Sequence, residues 1–169
     1  RQSATEYRND ELHGRWTRWD EQGRKNGAGE YKNGEKSGRW TTWNENNVKV
    51  TVIDFLDGLK SGVWYRCDKD GNKLIEGEYK NGKRDGKWTT WNNKQKVIEI
   101  SSFSGGKQTG RSIRWNDDGV KLYEGYFKDG TRDDYWVHYN KNGVKTSSGD
   151  YKNDKKNGHW IFWDDNGVK

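Results

Sequence analysis

Proline and methionine are absent from this sequence, and Cys67 is the single cysteine. One cysteine excludes an internal disulfide framework and a metal site built from several cysteines. Only 28% of the residues are hydrophobic, 34% are charged, and no apolar run approaches the length of a membrane-spanning helix. The chain therefore has too little aliphatic material for a conventional buried core.

Aromatic residues and glycine are abundant instead. The chain contains 11 Trp, 9 Tyr and 4 Phe, whereas disordered chains are poor in aromatics. Its 22 glycines are typical of many short strands joined by tight turns, and helical periodicity is absent throughout. We therefore expect an all-β fold whose core is made of aromatic side chains.

A repeat of 24 residues organises the chain, and the residues at one position of the repeat form a column. The first aromatic column is Tyr7, Tyr31, Phe55, Tyr79, Phe103, Phe127 and Tyr151. The second is Trp16, Trp40, Trp64, Trp88, Ser112, Trp136 and Trp160. The third is Trp19, Trp43, Cys67, Trp91, Trp115, Tyr139 and Trp163. A glycine column is Gly14, Gly38, Gly62, Gly86, Gly110, Asp134 (its exception) and Gly158.

The repeat predicts one domain over residues 1–169. Its seven units are 5–28, 29–52, 53–76, 77–100, 101–124, 125–148 and 149–169. Because the sequence lacks an initiating methionine and its last unit stops at Lys169, we expect a fragment or a processed chain.

Each unit has the signature of a β-hairpin. Residues 77–92 place an extended segment through Tyr79 before a polar loop, and a second segment through Trp88 and Trp91 after it. A loop centred on Lys83 and Arg84 would put Tyr79 directly across from Trp88, with Trp91 on the other face. With two strands per unit, the fold class is all-β: a single-layer antiparallel β-hairpin repeat ribbon or solenoid of about 14 strands.

Two further features of the unit carry structural expectations. A second turn, such as residues 116–119, places a glycine where φ is positive and an Asn or Asp that can bond the backbone locally. One column keeps mostly small residues, which suits an aromatic ring lying across it. Its members are Thr5, Gly29, Ile53, Gly77, Ser101, Gly125 and Gly149.

The segment from Gly77 to Lys87, with its aromatic residue, Asn-Gly pair and following glycine, resembles a MORN repeat (membrane occupation and recognition nexus). Because Trp88 and Trp91 follow the last glycine, the chain is most similar to the bacterial variant of that family, which often carries an antitoxin label. The resemblance covers essentially all of the chain. It implies a MORN-like single-layer β-sheet solenoid for protein contacts, sometimes proposed to touch phospholipids, without a catalytic residue.

We expect no enzymatic activity, cofactor or metal site. The three histidines, His13, His138 and His159, occupy different columns of distant repeats, so no pair is placed to bind a metal or activate a nucleophile. Cys67 stands in an aromatic column with no histidine near it in sequence, which favours a small buried filler over a reactive thiol. Every glycine is assigned to a turn column rather than to a phosphate-binding loop.

Charge sorts by column into a basic hairpin-loop edge and an acidic edge at the other turns, and the basic edge provides one set of candidate partner-binding residues. These are Lys83, Arg84, Lys155 and Lys156. The alternative is that charged turns only keep the ribbon soluble and block association of sheet edges.

A second candidate surface is the third aromatic column, whose tryptophans would form a large exposed patch unless they pack against their own neighbours. These are Trp19, Trp43, Trp91, Trp115 and Trp163. Repeat five has Ser112 in place of a tryptophan, which predicts either a cleft or a gap filled by a neighbour such as Phe103.

The leading functional hypothesis is a scaffold that binds a partner protein or a second copy of itself. The alternatives are a bacterial module for surface glycan or cell-wall binding, and salt-sensitive binding to anionic lipid through the basic edge. Nucleic acid is not expected, because the acidic edge would oppose wrapping and uncharged residues interrupt the basic stripe. The compartment stays open between bacterial cytoplasm and cell surface.

Overall fold

A computed structural model of the chain describes residues 3–169, and within that range all regular structure is β. The strands lie in one open antiparallel sheet of 14 strands, in the order of the sequence. They are β1 (Ser3–Arg8), β2 (Glu11–Trp19), β3 (Lys25–Lys32), β4 (Glu35–Trp43), β5 (Lys49–Leu56), β6 (Leu59–Cys67), β7 (Lys73–Lys80), β8 (Lys83–Trp91), β9 (Val97–Ser104), β10 (Lys107–Trp115), β11 (Lys121–Lys128), β12 (Thr131–Tyr139), β13 (Lys145–Lys152) and β14 (Lys155–Phe162). The predicted fold class is confirmed. Residues 3–169 contain no helix long and apolar enough to span a membrane.

The strands group into two compact units, Arg1–Lys83 with β1 to β7 and Arg84–Lys169 with β8 to β14. Successive residues of a strand point to alternate faces of the sheet. In each unit we call the face that carries the second aromatic column the Trp face, and the other one the opposite face. Trp40 marks the Trp face in the first unit and Trp136 marks it in the second.

Hairpins joining an odd strand to the next even strand turn on two residues. In the first unit Lys32 pairs with Glu35, which leaves Asn33 and Gly34 as the turn, with φ of 51° and 80°. Positive φ at both central residues is the type I′ geometry, whose twist matches that of the flanking strands. The amide of Gly34 also donates to the carbonyl oxygen of Leu12 at 2.8 Å, so the turn is bonded to the preceding hairpin.

The turn before β8 corrects the predicted loop position. Its two residues are Asn81 and Gly82, with φ of 51° and 76°. Lys83 and Arg84, on which the loop was expected to centre, instead begin β8. The Asn-Gly pair forms the turn because both positions require positive φ, which Gly adopts freely and Asn tolerates.

The aromatic columns are therefore not in direct cross-strand register. In the β3–β4 hairpin Tyr31 pairs with Lys36, whereas the expectation placed it across from the second-column residue, Trp40. The register of this pair shifts at a bulge, where Gly38 has a φ of 62°. The rings of Tyr31 and Trp40 still meet, with centroids 5.0 Å apart and planes at 85°.

The glycine column containing Gly38 lies within the even strands and not in turns, so the assignment of every glycine to a turn is wrong. Its exception, Asp134, also has a positive φ of 63°, a conformation that Asp tolerates better than most residues. Its carboxylate accepts the amide of Tyr135 at 2.8 Å. The column marks the bulge of each hairpin.

Small residues lie beneath the tryptophan rings, as the sequence predicts. A Cβ added to Gly29 would collide with the ring of Trp40, and the same collision would occur in two later repeats. These further pairs are Gly125 with Trp136 and Gly149 with Trp160. The indole nitrogen of Trp40 donates to the carbonyl oxygen of Glu30 at 3.2 Å, which holds the ring flat across the neighbouring strand.

Turns at the other edge begin with Asn or Asp, whose side chain bonds the backbone as expected. Oδ1 of Asn44 accepts the amides of Asn46 and Val48, both at 3.0 Å. Its Nδ2 donates to the carbonyl oxygen of Lys69, at 2.7 Å, in the next turn along that edge. One residue thus forms its own turn and connects two repeats.

Candidate functional site

The Trp face carries an aromatic ladder of edge-to-face contacts. Phe127 meets Trp136 at 5.1 Å and 83°, and Tyr151 meets Trp160 at 4.9 Å and 81°. Edge-to-face geometry places the positive ring edge against the negative ring face. Only 8% of Trp40 and 2% of Trp136 is exposed, so these rings form the core and not a docking surface.

Cations from the even strands cover this ladder. The guanidinium carbon of Arg84 lies 4.3 Å from the ring centroid of Trp88, and Nζ of Lys156 lies 4.5 Å from that of Trp160. A cation over an aromatic face is attracted by the negative charge of the π system. These two predicted partner-binding residues therefore pack on the core of the protein itself.

The other two predicted basic residues have a different setting. Lys83 and Lys155 begin β8 and β14, and both are exposed. All four predicted basic residues are therefore exposed, and one residue of each adjacent pair also lies over a ring of the Trp face.

The third aromatic column lies on the opposite face, at the ends of the even strands. Each of its five predicted binding residues is half-buried: Trp19, Trp43, Trp91, Trp115 and Trp163. Nζ of Lys25 lies 4.7 Å from the ring centroid of Trp43, and Nζ of Lys145 lies 5.1 Å from that of Trp163. A lysine thus covers part of two of these rings.

The gap that Ser112 leaves in the ladder is filled, but not by Phe103. Ser112 is fully buried, and Nε2 of Gln108 donates to Oγ of both Ser112 and Ser101, at 3.2 and 3.3 Å. Phe103 instead contacts Trp88, with centroids 6.0 Å apart. A hydrogen-bonded polar cluster therefore replaces the missing ring.

His138 is the one histidine in the ladder among the described residues. It stacks between the rings of Trp136 and Trp160, at 5.9 and 6.3 Å, and its Nδ1 lies 3.2 Å from Oγ of Ser147. Burial lowers the pKa of His138 below its ordinary value of 6.5, and the positive charges of Arg132 and Lys156 lower it further.

This environment predicts acid sensitivity in the second unit. Unfolded chains protonate His138 at its ordinary pKa near 6.5, whereas the folded chain resists protonation. The unfolded state thus binds more protons, and the free energy of unfolding should fall as the pH drops below about 6.5, until folded His138 protonates as well. Urea denaturation at several pH values measures this slope. His138→Phe, which copies Phe162 of the next repeat, should flatten it; an unchanged slope would contradict the assignment.

Ion pairs line the opposite face. In the first unit Arg39 and Asp54 form a two-bond pair at 2.8 and 3.1 Å. In the second unit Nη2 of Arg111 donates to Glu124 at 2.7 Å, and Nζ of Lys121 lies 3.2 Å from the same carboxylate. Burial alone would raise the pKa of Glu124, but the two cations hold it below its ordinary value.

Exposed apolar side chains interrupt this charged face. Leu56, Leu59 and Val63 are 61%, 52% and 43% exposed in the first unit, and Tyr126 and Tyr135 are 44% and 46% exposed in the second. Leu56 follows Phe55, whose ring contacts the Trp ladder, so alternation places Leu56 and its cross-strand partner Leu59 on the opposite face. Alternation with Trp64, Phe127 and Trp136 assigns the other three to that face.

Sequence reasoning missed Val63, Tyr126 and Tyr135, although a signal was present. The column of Val63 and Tyr135 is basic in four of the other repeats: Arg15, Arg39, Lys87 and Arg111. An apolar or aromatic residue in a charged column of an otherwise regular repeat indicates a local change of surface chemistry.

Cys67 is buried, as the sequence predicts, with 8% of its surface exposed. Burial raises the pKa of the Cys67 thiol, and the neighbouring Asp68 carboxylate raises it further, which keeps the sulfur protonated. Within residues 3–169 no cluster of three His, Cys, Asp or Glu side chains comes together in a way that could hold a metal ion.

Comparison with known proteins adds no identification. Neither a scan against protein-family models nor a search of curated proteins finds a match to this chain.

Proposed function

We propose that this chain is a non-enzymatic, MORN-like repeat scaffold that mediates protein–protein interaction. One observation carries the proposal: between β2 and β13, the exposed large hydrophobic side chains among the described residues lie on the opposite face, inside a surface of paired charges. Apolar groups surrounded by polar ones are the usual composition of a protein-binding patch.

The first unit offers the clearest apolar patch. Leu56 and Leu59 flank the turn formed by Asp57 and Gly58, where the equivalent positions of the preceding repeat hold Lys32 and Glu35. Two leucines replace two residues of opposite charge at the tip of the hairpin. Burying a leucine against a partner is favourable by about 1.5 to 3 kcal/mol, which is enough to anchor an interface.

The basic hairpin-loop edge supports an anionic partner less well. Arg84 and Lys156 are held over tryptophan rings, so moving them to an anionic lipid surface would give up these contacts. Lys83 and Lys155 remain as a contribution that salt would screen. A protein partner bound through apolar contacts is the function that these surfaces favour.

Retention of a partner by the immobilised chain tests the proposal. Fractions of lysate and envelope from the source organism are passed over it at low and high salt, and retained proteins are identified by mass spectrometry. We expect a specific protein to stay bound at high salt, and Leu56→Ser/Leu59→Ser to weaken its binding at least about tenfold.

Tyr7→Ser is the matched control, because Tyr7 is 67% exposed on the Trp face of the same unit. It should leave binding unchanged. Equal binding by the leucine variant and the parent chain would exclude the leucine patch, and retention that disappears at high salt would favour a charged surface instead. Self-association is measured in parallel by sedimentation of the purified chain.

A further inference from the structure

A cleft of about 230 Å³ opens on the opposite face of the second unit. Tyr126 from β11 and Tyr135 from β12 form two of its walls, and Val137 contributes to its floor. Arg111, Glu124 and Gly125 complete the lining. Drug-sized ligands need pockets of roughly 300 to 1,000 Å³, so this cleft has room for a single six-membered ring with its substituents.

The two tyrosine rings are available to a ligand. Each is close to half exposed, at 44% for Tyr126 and 46% for Tyr135. The hydroxyl of Tyr135 donates to Oγ of Ser148 at 2.8 Å, and Ser148 is only 1% exposed. This bond fixes the position of the Tyr135 ring, so a ligand does not have to order it.

The polar side of the cleft favours a ligand rich in oxygen atoms. Nη2 of Arg111 donates to Glu124. A guanidinium carries five N–H donors, so this hydrogen bond uses only one of them. The Arg111 side chain is 56% exposed. Glu124 is already held by Arg111, Lys121 and the hydroxyl of Tyr139 at 3.4 Å. The unused hydrogen-bonding capacity is thus mainly that of Arg111 as a donor.

We propose that this cleft binds one sugar ring of a glycan. A pyranose ring has apolar faces that pack on aromatic side chains, and hydroxyl or carboxylate oxygens on its rim that accept from Arg111. The positive charges of Arg111 and Lys121 disfavour an organic cation, although aromatic walls alone would suit one. A proline side chain would fill the space between the tyrosines but would offer no acceptor to the remaining N–H donors of Arg111.

Binding to an array of neutral and uronic-acid oligosaccharides, followed by calorimetric titration of the best one, tests this site. We expect the parent chain to bind at least one oligosaccharide. Tyr126→Ala, Tyr135→Ala and Arg111→Gln should each weaken that binding by about tenfold or more. These residues are exposed, so circular dichroism should show an unchanged fold.

Tyr135→Phe keeps the ring but loses the bond to Ser148 that fixes it, so it should weaken binding less than Tyr135→Ala does. The control is an aromatic residue outside the cleft. Phe162→Ala removes an exposed aromatic from the Trp face of the same unit and should have no effect. Three results would overturn the proposal: absence of binding to every glycan, binding by both tyrosine-to-alanine variants as strong as that of the parent chain, or capture of a decaproline peptide in place of any glycan. None of these results depends on the protein partner proposed above.

Discussion

Replacing Trp136 with alanine is expected to lower the free energy of unfolding by about 4 kcal/mol. The side chain is 2% exposed and packs against the rings of Tyr123, Phe127 and Tyr151, at 5.5, 5.1 and 5.9 Å. Its indole nitrogen donates to the carbonyl oxygen of Tyr126 at 3.0 Å. Truncation removes the ring that joins these three neighbours and His138, and a sheet of one layer has no second layer that could refill the space.

Urea denaturation followed by far-ultraviolet circular dichroism measures this loss, and hydrogen exchange locates it. Because each repeat contacts only its neighbours, amides of β11, β12 and β13 should lose the most protection. Phe162→Ala is the control, since Phe162 is an aromatic residue on the same face with 56% of its surface exposed. Its cost should stay below about 1 kcal/mol. Similar losses for both variants would mean that burial on the Trp face does not stabilise the sheet.

Placing a side chain beneath the same ring should be nearly as damaging. Gly125→Ser is expected to cost about 3 kcal/mol, because its new Cβ would occupy space held by the ring of Trp136 and either the ring or the strand must move. The collision involves the fused part of the indole, which is fixed by its bond to the carbonyl oxygen of Tyr126. Urea denaturation again gives the free energy.

The chain itself contains the control for this prediction. In repeat five the equivalent positions are Ser101 and Ser112, so a serine is accepted where no ring covers it. Gly125→Ser should therefore cost less than about 1 kcal/mol when it is introduced into Trp136→Ser. A double-mutant cycle with no coupling between the two positions would show that the ring does not require the glycine.

The position of the hairpin turn is the part of the fold that the sequence predicted wrongly. Nine positions separate Tyr79 from Trp88, and this spacing fits a longer loop with paired aromatics as well as a two-residue turn with a bulge. The turn at Asn81 and Gly82 and the bulge at the next glycine column decide between them. The turn and the bulge both need positive backbone φ values, which the residues at these positions can adopt but are not forced to adopt.

The surfaces diverged further from expectation than the fold did. Their columns place Arg84 and Lys156 on the basic hairpin-loop edge, yet each side chain lies over a tryptophan ring. Long cationic side chains can reach either solvent or a neighbouring ring, and only the packing around them determines which. Tyr126 and Tyr135 lie in columns whose other members are mostly charged, so the sequence did not predict a cleft there. The cleft is formed by side chains that neighbouring strands bring together.

By itself the sequence determined the seven repeats, the all-β class, the aromatic core and the small residues that recur beneath its rings. These follow from strict spacing, because side-chain direction alternates along every strand and the same column therefore meets the same environment in each unit. Only the tertiary structure decided the register within each hairpin, the cations that cover the Trp face and the cleft beside Arg111. Those features depend on contacts between strands. In each hairpin a bulge at a residue with positive φ shifts one aromatic column relative to the other, and this shift determines which side chains remain exposed.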